Sequence, residues 1–81
     1  MKLTVKVSNK DYEVSYVHST NNGEDVFTIT LISEELIKIF PLDTIVAWKV
    51  KGVYSFIPSN ISTNDILMKI VEQVESYHHS N

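Results

Sequence analysis

The chain has 81 residues, a formal net charge of −3 and no cysteine. These figures exclude disulfides, thiolate metal sites and a thiol nucleophile. A chain this short is predicted to form one domain over residues 1–81 that buries only about 60–65% of its unfolded surface, so its core is small. All seven basic residues are lysine, and the absence of arginine disfavours bidentate recognition of phosphate or guanine.

Valine, isoleucine and threonine supply 25 of the 81 residues, a composition that favours strands. Residues 2–8 and residues 11–18 alternate apolar and polar side chains, which predicts two antiparallel strands. A two-residue turn at Asn9-Lys10 would place Lys6 opposite Glu13 and keep the apolar residues on one face. The same register therefore keeps the apolar side chains on one face and pairs two opposite charges.

A cluster of turn-forming residues occupies positions 19–24 and precedes an alternating run over 25–32, which predicts a third strand. Residues 33–40 begin with a serine and two glutamates, a pattern typical of a helix N-terminus. Pro41 would end this helix after about two turns. A strand over residues 33–40 is the alternative.

Residues 45–57 are predicted to form a second hairpin with a tight turn at Lys51-Gly52. Pairing Val50 with Val53 places apolar side chains on both faces of this hairpin, whereas the first three strands have one polar face. One face carries Val46, Trp48, Val50, Val53 and Ile57. The other face carries Ile45, Ala47, Lys49, Tyr54 and Phe56.

Residues 66–77 repeat apolar side chains at helical spacing, with charged and polar residues on the opposite side. This pattern predicts an amphipathic C-terminal helix, whose apolar stripe must be buried against the strands. The element order is therefore β-β-β-short α-β-β-α. It predicts a two-layer α+β domain, in which a five-stranded, mostly antiparallel sheet has the C-terminal helix packed on one face.

Residues suited to catalysis are few. The sequence contains no phosphate-binding glycine loop, no HExxH motif and no calcium loop. His18 extends the inward side of the second strand, where the alternatives are a base or metal ligand and a rim histidine satisfied by backbone or water. His78-His79 lie at the end of the last helix, and Glu34-Glu35 fit an exposed first turn. We therefore predict no cofactor and no metal site, and binding rather than catalysis.

The second apolar face of hairpin 45–57 is the clearest indication of function. If the C-terminal helix covers one face, the other must be covered by the short helix or by a partner, because contiguous exposed apolar surface marks interfaces. Small domains often gain stability by oligomerising. We predict a non-catalytic interaction module that binds a protein partner or a second copy of itself. The predicted interface residues are Ile45, Trp48, Lys49, Tyr54 and Phe56.

The sequence is also compatible with two other functions. A small ligand could bind between sheet and helix in a pocket lined by Tyr12, Tyr16, Phe27 and Trp48. Single-stranded nucleic acid could bind a lysine-lined surface with stacking aromatic rings, although the net negative charge disfavours this function. The lysines of this surface are Lys2, Lys6 and Lys10 on the first strand and its turn, and Lys49 and Lys51 near Trp48 and Tyr54. No stretch approaches the roughly 18 apolar residues of a membrane span, so a soluble, cytoplasmic chain is predicted.

Overall fold

The computed structural model describes residues 1–39, 43–57 and 65–80. These residues form five strands and two helices in the predicted order. The strands are β1 (Lys2–Val7), β2 (Lys10–Asn21), β3 (Glu24–Leu31), β4 (Thr44–Val50) and β5 (Val53–Ile57). The helices are α1 (Glu34–Ile39) and α2 (Asp65–Ser80).

The sheet is an antiparallel meander with spatial order β1-β2-β3-β4-β5. Helix α2 lies on one face, which we call the inner face, and its apolar stripe is buried there. The fully buried residues of α2 are Leu67, Ile70, Val71 and Val74. The predicted two-layer α+β fold is therefore confirmed, because the apolar stripe of α2 and the inward side chains of the strands form one core.

The register of β1 against β2 differs from the predicted one. The turn lies at Ser8-Asn9, where both residues have positive φ, so that Val7 pairs with Lys10. Lys6 consequently faces Asp11, and Glu13 forms its ion pair with Lys2 at 3.4 Å. Each β1 residue therefore pairs with a β2 residue two positions earlier in the chain than predicted. Because side chains alternate with a period of two, every side chain stays on its predicted face.

The segment 19–24 is not a six-residue loop. Strand β2 continues to Asn21 and β3 begins at Glu24, so only Asn22 and Gly23 form the turn, both at positive φ. Asn-Gly strongly favours a two-residue hairpin whose twist matches that of the flanking strands. This tight turn carries β2 and β3 well past His18 and places Asp25 within the sheet.

The β4–β5 hairpin matches its prediction pair by pair: Val50 pairs with Val53, Trp48 with Ser55 and Ala47 with Phe56. Its turn residues Lys51 and Gly52 have φ values of 52° and 81°. Glycine adopts this conformation without strain, whereas lysine carries a Cβ that disfavours it.

Replacing Lys51 with asparagine is expected to stabilise the protein by about 0.5–1 kcal/mol, because asparagine tolerates positive φ better than lysine. Gly52→Ala is the matched opposite change. Apart from its two chain neighbours, no described residue has an atom within 4 Å of an added Cβ at Gly52, so its destabilisation reports backbone strain. Urea unfolding of both variants measures the two effects. A K51N variant less stable than the parent protein would contradict this account of the turn.

Residues 34–39 form helix α1, so the strand alternative does not apply. The Ser33 carbonyl accepts hydrogen bonds from the amides of Leu36 and Ile37, and the Ser33 hydroxyl accepts one from the Glu13 amide at 2.8 Å. Leu36 is fully buried in the inner core. The predicted role of Pro41 in ending this helix concerns a residue outside the described ranges.

The two edges of the sheet differ in how they are covered. In an antiparallel hairpin, alternate residues of an edge strand point their backbone groups away from the sheet. On β1, Lys6 is such a residue, and the side-chain amide of Gln73 on α2 occupies both of its groups. The Lys6 amide donates to Gln73 Oε1 at 2.8 Å, and Gln73 Nε2 donates to the Lys6 carbonyl. Lys2 and Lys6 add charge along this strand, which is a common protection against strand pairing.

Candidate interaction surface

The inner face of the β4–β5 hairpin lies under α2. Ile45 and Ala47 are fully buried, Phe56 is 3% exposed, and all three belong to the core. Two of the predicted interface residues, Ile45 and Phe56, are therefore placed where they contact the chain's own core. A partner cannot touch these two side chains without displacing α2.

The opposite face of the same hairpin carries a set of exposed or half-buried apolar side chains, which we call the outer patch. It consists of Val46, Trp48, Val50, Val53 and Ile57. Val53 is 67% exposed and Ile57 is 59% exposed. Helix α1, which could have covered this face, instead contributes Leu36 to the inner core. Contiguous apolar surface of this kind is uncommon on a small monomer and usually marks a contact surface.

Trp48 is the member of the predicted interface that lies on the outer patch. It is half-buried, and with Val46 it forms part of a shallow cleft of about 380 Å³. Asn21, Asn22 and Glu24 from the β2–β3 hairpin line the same cleft. The cleft combines an aromatic anchor with several amide and carboxylate groups, the mixture found at the border of protein interfaces.

Tyr54 and Lys49 lie on the inner side of the hairpin, at its rim. The Tyr54 hydroxyl donates to Glu75 Oε1 at 2.7 Å, and Lys49 Nζ lies 3.6 Å from the same oxygen. Lys49 Nζ also lies 5.1 Å from the centre of the Tyr54 ring. Burial raises the pKa of the Tyr54 hydroxyl well above its usual range, and the hydrogen bond to Glu75 raises it further. These contacts fasten the hairpin to α2, so Tyr54 and Lys49 have structural partners within the chain.

The free edge of β5 lies between the outer patch and this rim. Since Val50 and Val53 close the hairpin as a hydrogen-bonded pair, the N–H and C=O groups of Tyr54 and Phe56 point away from β4. Within the described ranges, no segment pairs with this side of β5. The strand Val53–Ile57 carries no charged residue. In the part of the chain that the structure describes, β5 therefore has no counterpart of the Gln73 amide and the two lysines that protect β1.

Neither of the two other predicted sites is assembled in full. Tyr12, Tyr16 and Phe27 are buried in the inner core, on the opposite face of the sheet from Trp48. Lys49 lies beside the Tyr54 ring as predicted, but it projects from the opposite face of the sheet from Trp48. Three lysines of the predicted nucleic-acid surface form ion pairs: Lys2 with Glu13, Lys10 with Glu35 and Lys49 with Glu75.

A cluster of all three histidines around Asp25 is the feature that the sequence reasoning missed. His18 Nε2 lies 2.7 Å from Asp25 Oδ1, and His79 Nε2 lies 3.4 Å from Asp25 Oδ2. The rings of His18 and His78 stack with their centres 4.0 Å apart. The hydroxyl of Tyr16 lies 3.4 Å from His78 Nδ1. The cluster joins the last turn of α2 to β2 and β3. The Asn22-Gly23 turn was the available signal, since it places His18 and Asp25 diagonally on one face of the hairpin.

The hydrogen bond from His18 lowers the pKa of the Asp25 carboxyl, and the nearby histidines add to this effect. A carboxyl whose pKa is lower in the folded state adds stability above its unfolded pKa of about 3.9 and loses it as the pH falls through the folded value. Asp25→Asn is therefore expected to lower the Tm at about pH 5, where the Asp25 carboxyl is ionised, with the difference shrinking toward about pH 2.

Thermal unfolding across this pH range, followed by circular dichroism, measures the effect. Asp11→Asn is the matched control, because Asp11 is an exposed carboxyl on the outer face with no ion pair in the described residues. A Tm difference between D25N and the parent protein that stays constant down to about pH 2 would contradict the role assigned to the Asp25 carboxylate.

Among the residues that the structure describes, no group of three or more histidine, aspartate or glutamate side chains has a geometry that could hold a metal ion. No helix in the same residues is long and apolar enough to cross a membrane. Comparison with known proteins finds no matching family model, no matching curated protein and no matching solved structure.

Proposed function

We propose that this protein is a small non-catalytic interaction module that binds a protein through the β4–β5 hairpin. The binding surface is the free edge of β5 together with the outer patch beside it. An incoming extended segment would add a strand to the sheet through main-chain hydrogen bonds, and its alternate side chains would cover the outer patch. A cytoplasmic location remains a prediction from the sequence.

The observation that carries this proposal is the contrast between the two edges of one sheet. Natural proteins commonly protect edge strands with charges, bulges or covering side chains. Here β1 has two lysines and the Gln73 amide, whereas β5 has an uncharged sequence and exposed Val53 and Ile57. An edge left open beside an apolar surface is a ready template for strand addition.

The proposed surface differs in part from the residues predicted from the sequence. Trp48 remains in it as the aromatic anchor, and Tyr54 and Phe56 contribute their outward backbone groups. Val53 and Ile57 supply the exposed side chains in place of Ile45, which is buried. Lys49 borders the surface through its contacts with Tyr54 and Glu75.

Site-specific photo-crosslinking tests this function. A benzophenone amino acid is placed at position 53 on β5, and a matched variant carries it at position 17, where Val17 is 66% exposed on the outer face of β2. We expect position 53 to give a discrete adduct in a lysate, either with this chain or with another protein. Excess unlabelled chain should suppress an adduct with another protein, whereas for self-association the unlabelled chain is itself the captured partner.

Position 17 controls for non-specific capture by an exposed apolar site on the same face of the sheet. The proposal is contradicted if position 53 gives no adduct, or if both positions give the same adducts. An adduct between position 53 and another protein that excess parent protein does not suppress would also contradict it, because a specific surface is saturable.

A further inference from the structure

The sequence of β5 is symmetric by residue type about its central residue. It reads Val53-Tyr54-Ser55-Phe56-Ile57, with a β-branched residue at each end, an aromatic residue next to each end and a serine in the middle. An antiparallel strand paired with its own copy around a two-fold axis places residues on either side of the centre opposite each other. Such a symmetric strand is therefore complementary to itself.

We propose that the occupant of the free β5 edge is β5 of a second copy of this chain, in an antiparallel register centred on Ser55. This inference rests on the proposed function and names its partner. The two five-stranded sheets would then join into one continuous ten-stranded sheet. The interface is isologous, because the same strand contributes both sides.

The backbone groups of β5 fit this register. The outward-pointing residues of β5 are Tyr54 and Phe56, as its pairing with β4 dictates. With Ser55 on the two-fold axis, Tyr54 of one copy faces Phe56 of the second copy. This brings outward-pointing groups opposite each other, so that both such pairs can exchange hydrogen bonds. A register shifted by one residue would set outward-pointing groups opposite inward-pointing ones.

The exposed side chains of the outer face fit the same register. On the outer face, Val53 of one copy faces Ile57 of the other, which covers the two most exposed residues of the outer patch. On the inner face, the Tyr54 and Phe56 side chains stay packed against α2 of their own chain, since Phe56 is buried and the Tyr54 hydroxyl donates to Glu75, so these two residues join the new strand pair through their backbone groups alone. Ser55 meets its own copy at the axis, in a pair without backbone hydrogen bonds, where side chains approach most closely and a small residue fits.

Charge also permits this pairing. The pairing strand has no charged residue that would face its own copy. Pairing through β1 would instead bring Lys6 of each copy to the interface and would require displacement of Gln73 from the Lys6 backbone. The structure thus favours β5 over β1 as the edge that joins two copies.

The interface of two five-residue strands is smaller than a standard interface of about 1,600 Å². We therefore expect a dissociation constant in the micromolar range or weaker. Sedimentation equilibrium of the purified chain, from about 5 µM to about 1 mM, should show the mass rising from 9.3 kDa toward twice that value. A mass that stays at one chain throughout this range overturns the self-pairing.

Two charged variants at Ser55 test the register. In S55K alone or S55E alone, like charges meet at the two-fold axis, so dimerisation should weaken about fivefold or more. An equimolar mixture of the two variants places lysine opposite glutamate and should restore dimers to at least the parent level. Ser19→Lys is the matched control, since Ser19 is an exposed serine on the outer face of β2.

The mixture keeps this test informative even if each variant is less stable alone. Failure of the mixture to restore dimers, or dimers of S55K as strong as those of the parent protein, overturns the Ser55-centred register. A parent chain that is monomeric at all concentrations, yet gives a saturable adduct with another protein from position 53, overturns self-pairing and leaves the proposed interaction function standing. If the parent chain stays monomeric and position 53 gives no saturable adduct, both the self-pairing and the proposed interaction function are overturned.

Discussion

Phe27→Ala is expected to lower the free energy of unfolding by about 3–5 kcal/mol, the usual cost of removing a buried aromatic ring. Phe27 is 1% exposed and contacts the rings of Tyr16, His18 and His78, with centre distances of 6.0, 5.3 and 5.5 Å. Its loss therefore opens a cavity and removes the support of the histidine cluster. A domain of this size has a total stability of about 4–12 kcal/mol, so the variant is expected to be partly or fully unfolded.

Urea unfolding followed by Trp48 fluorescence and far-ultraviolet circular dichroism measures this loss. Val17→Ala is the matched control, because Val17 lies on the same sheet but is 66% exposed on the outer face. Its cost should stay below about 1 kcal/mol. Equal losses in the two variants would contradict the assignment of the core to the face covered by α2.

Gln73→Ala is expected to cost about 1–2 kcal/mol, because it removes both hydrogen bonds between α2 and the Lys6 backbone. Alanine is the better helix former, so the loss cannot come from the helix itself. Gln73→Glu keeps an acceptor for the Lys6 amide and loses the donor to its carbonyl, so an intermediate loss is expected.

Hydrogen exchange at the Lys6 amide gives a second measurement of the same contact. The amide should exchange faster in Q73A than in the parent protein, while the amide of Val5, which pairs with Tyr12 inside the sheet, should be much less affected. Unchanged exchange at Lys6 would show that Gln73 does not protect this edge. The difference in edge protection between β1 and β5, on which the proposed function rests, would then be contradicted.

Strand alternation and turn residues were sufficient to predict most of the fold. The β4–β5 register follows directly from Gly52, which restricts where the turn can lie. The β1–β2 register was wrong by two residues, because Ser8-Asn9 and Asn9-Lys10 are both plausible turns and the expected Lys6–Glu13 pair favoured the second. In the structure, Glu13 instead forms an ion pair with Lys2, which lies on the same face of the sheet as Lys6.

The candidate site was harder to predict, for a physical reason. Hairpin 45–57 is apolar on both faces, so alternation separates the faces but does not say which one α2 covers. The predicted interface accordingly combined Ile45 and Phe56 from the inner core with Trp48 from the outer patch. The Gln73 contact joins residues 67 positions apart, and the histidine cluster depends on where the end of α2 lies. Local sequence patterns carry no information on such long-range contacts.

Residue-resolved hydrogen exchange at low and high protein concentration tests the central claim, that β5 is the open edge through which this chain binds. We predict that the Tyr54 and Phe56 amides exchange quickly in dilute protein and become protected as concentration rises. Over the same range the Thr4 amide, which points outward from β1, should not change. Protection that appears at Thr4 while Tyr54 and Phe56 stay unchanged would contradict the account.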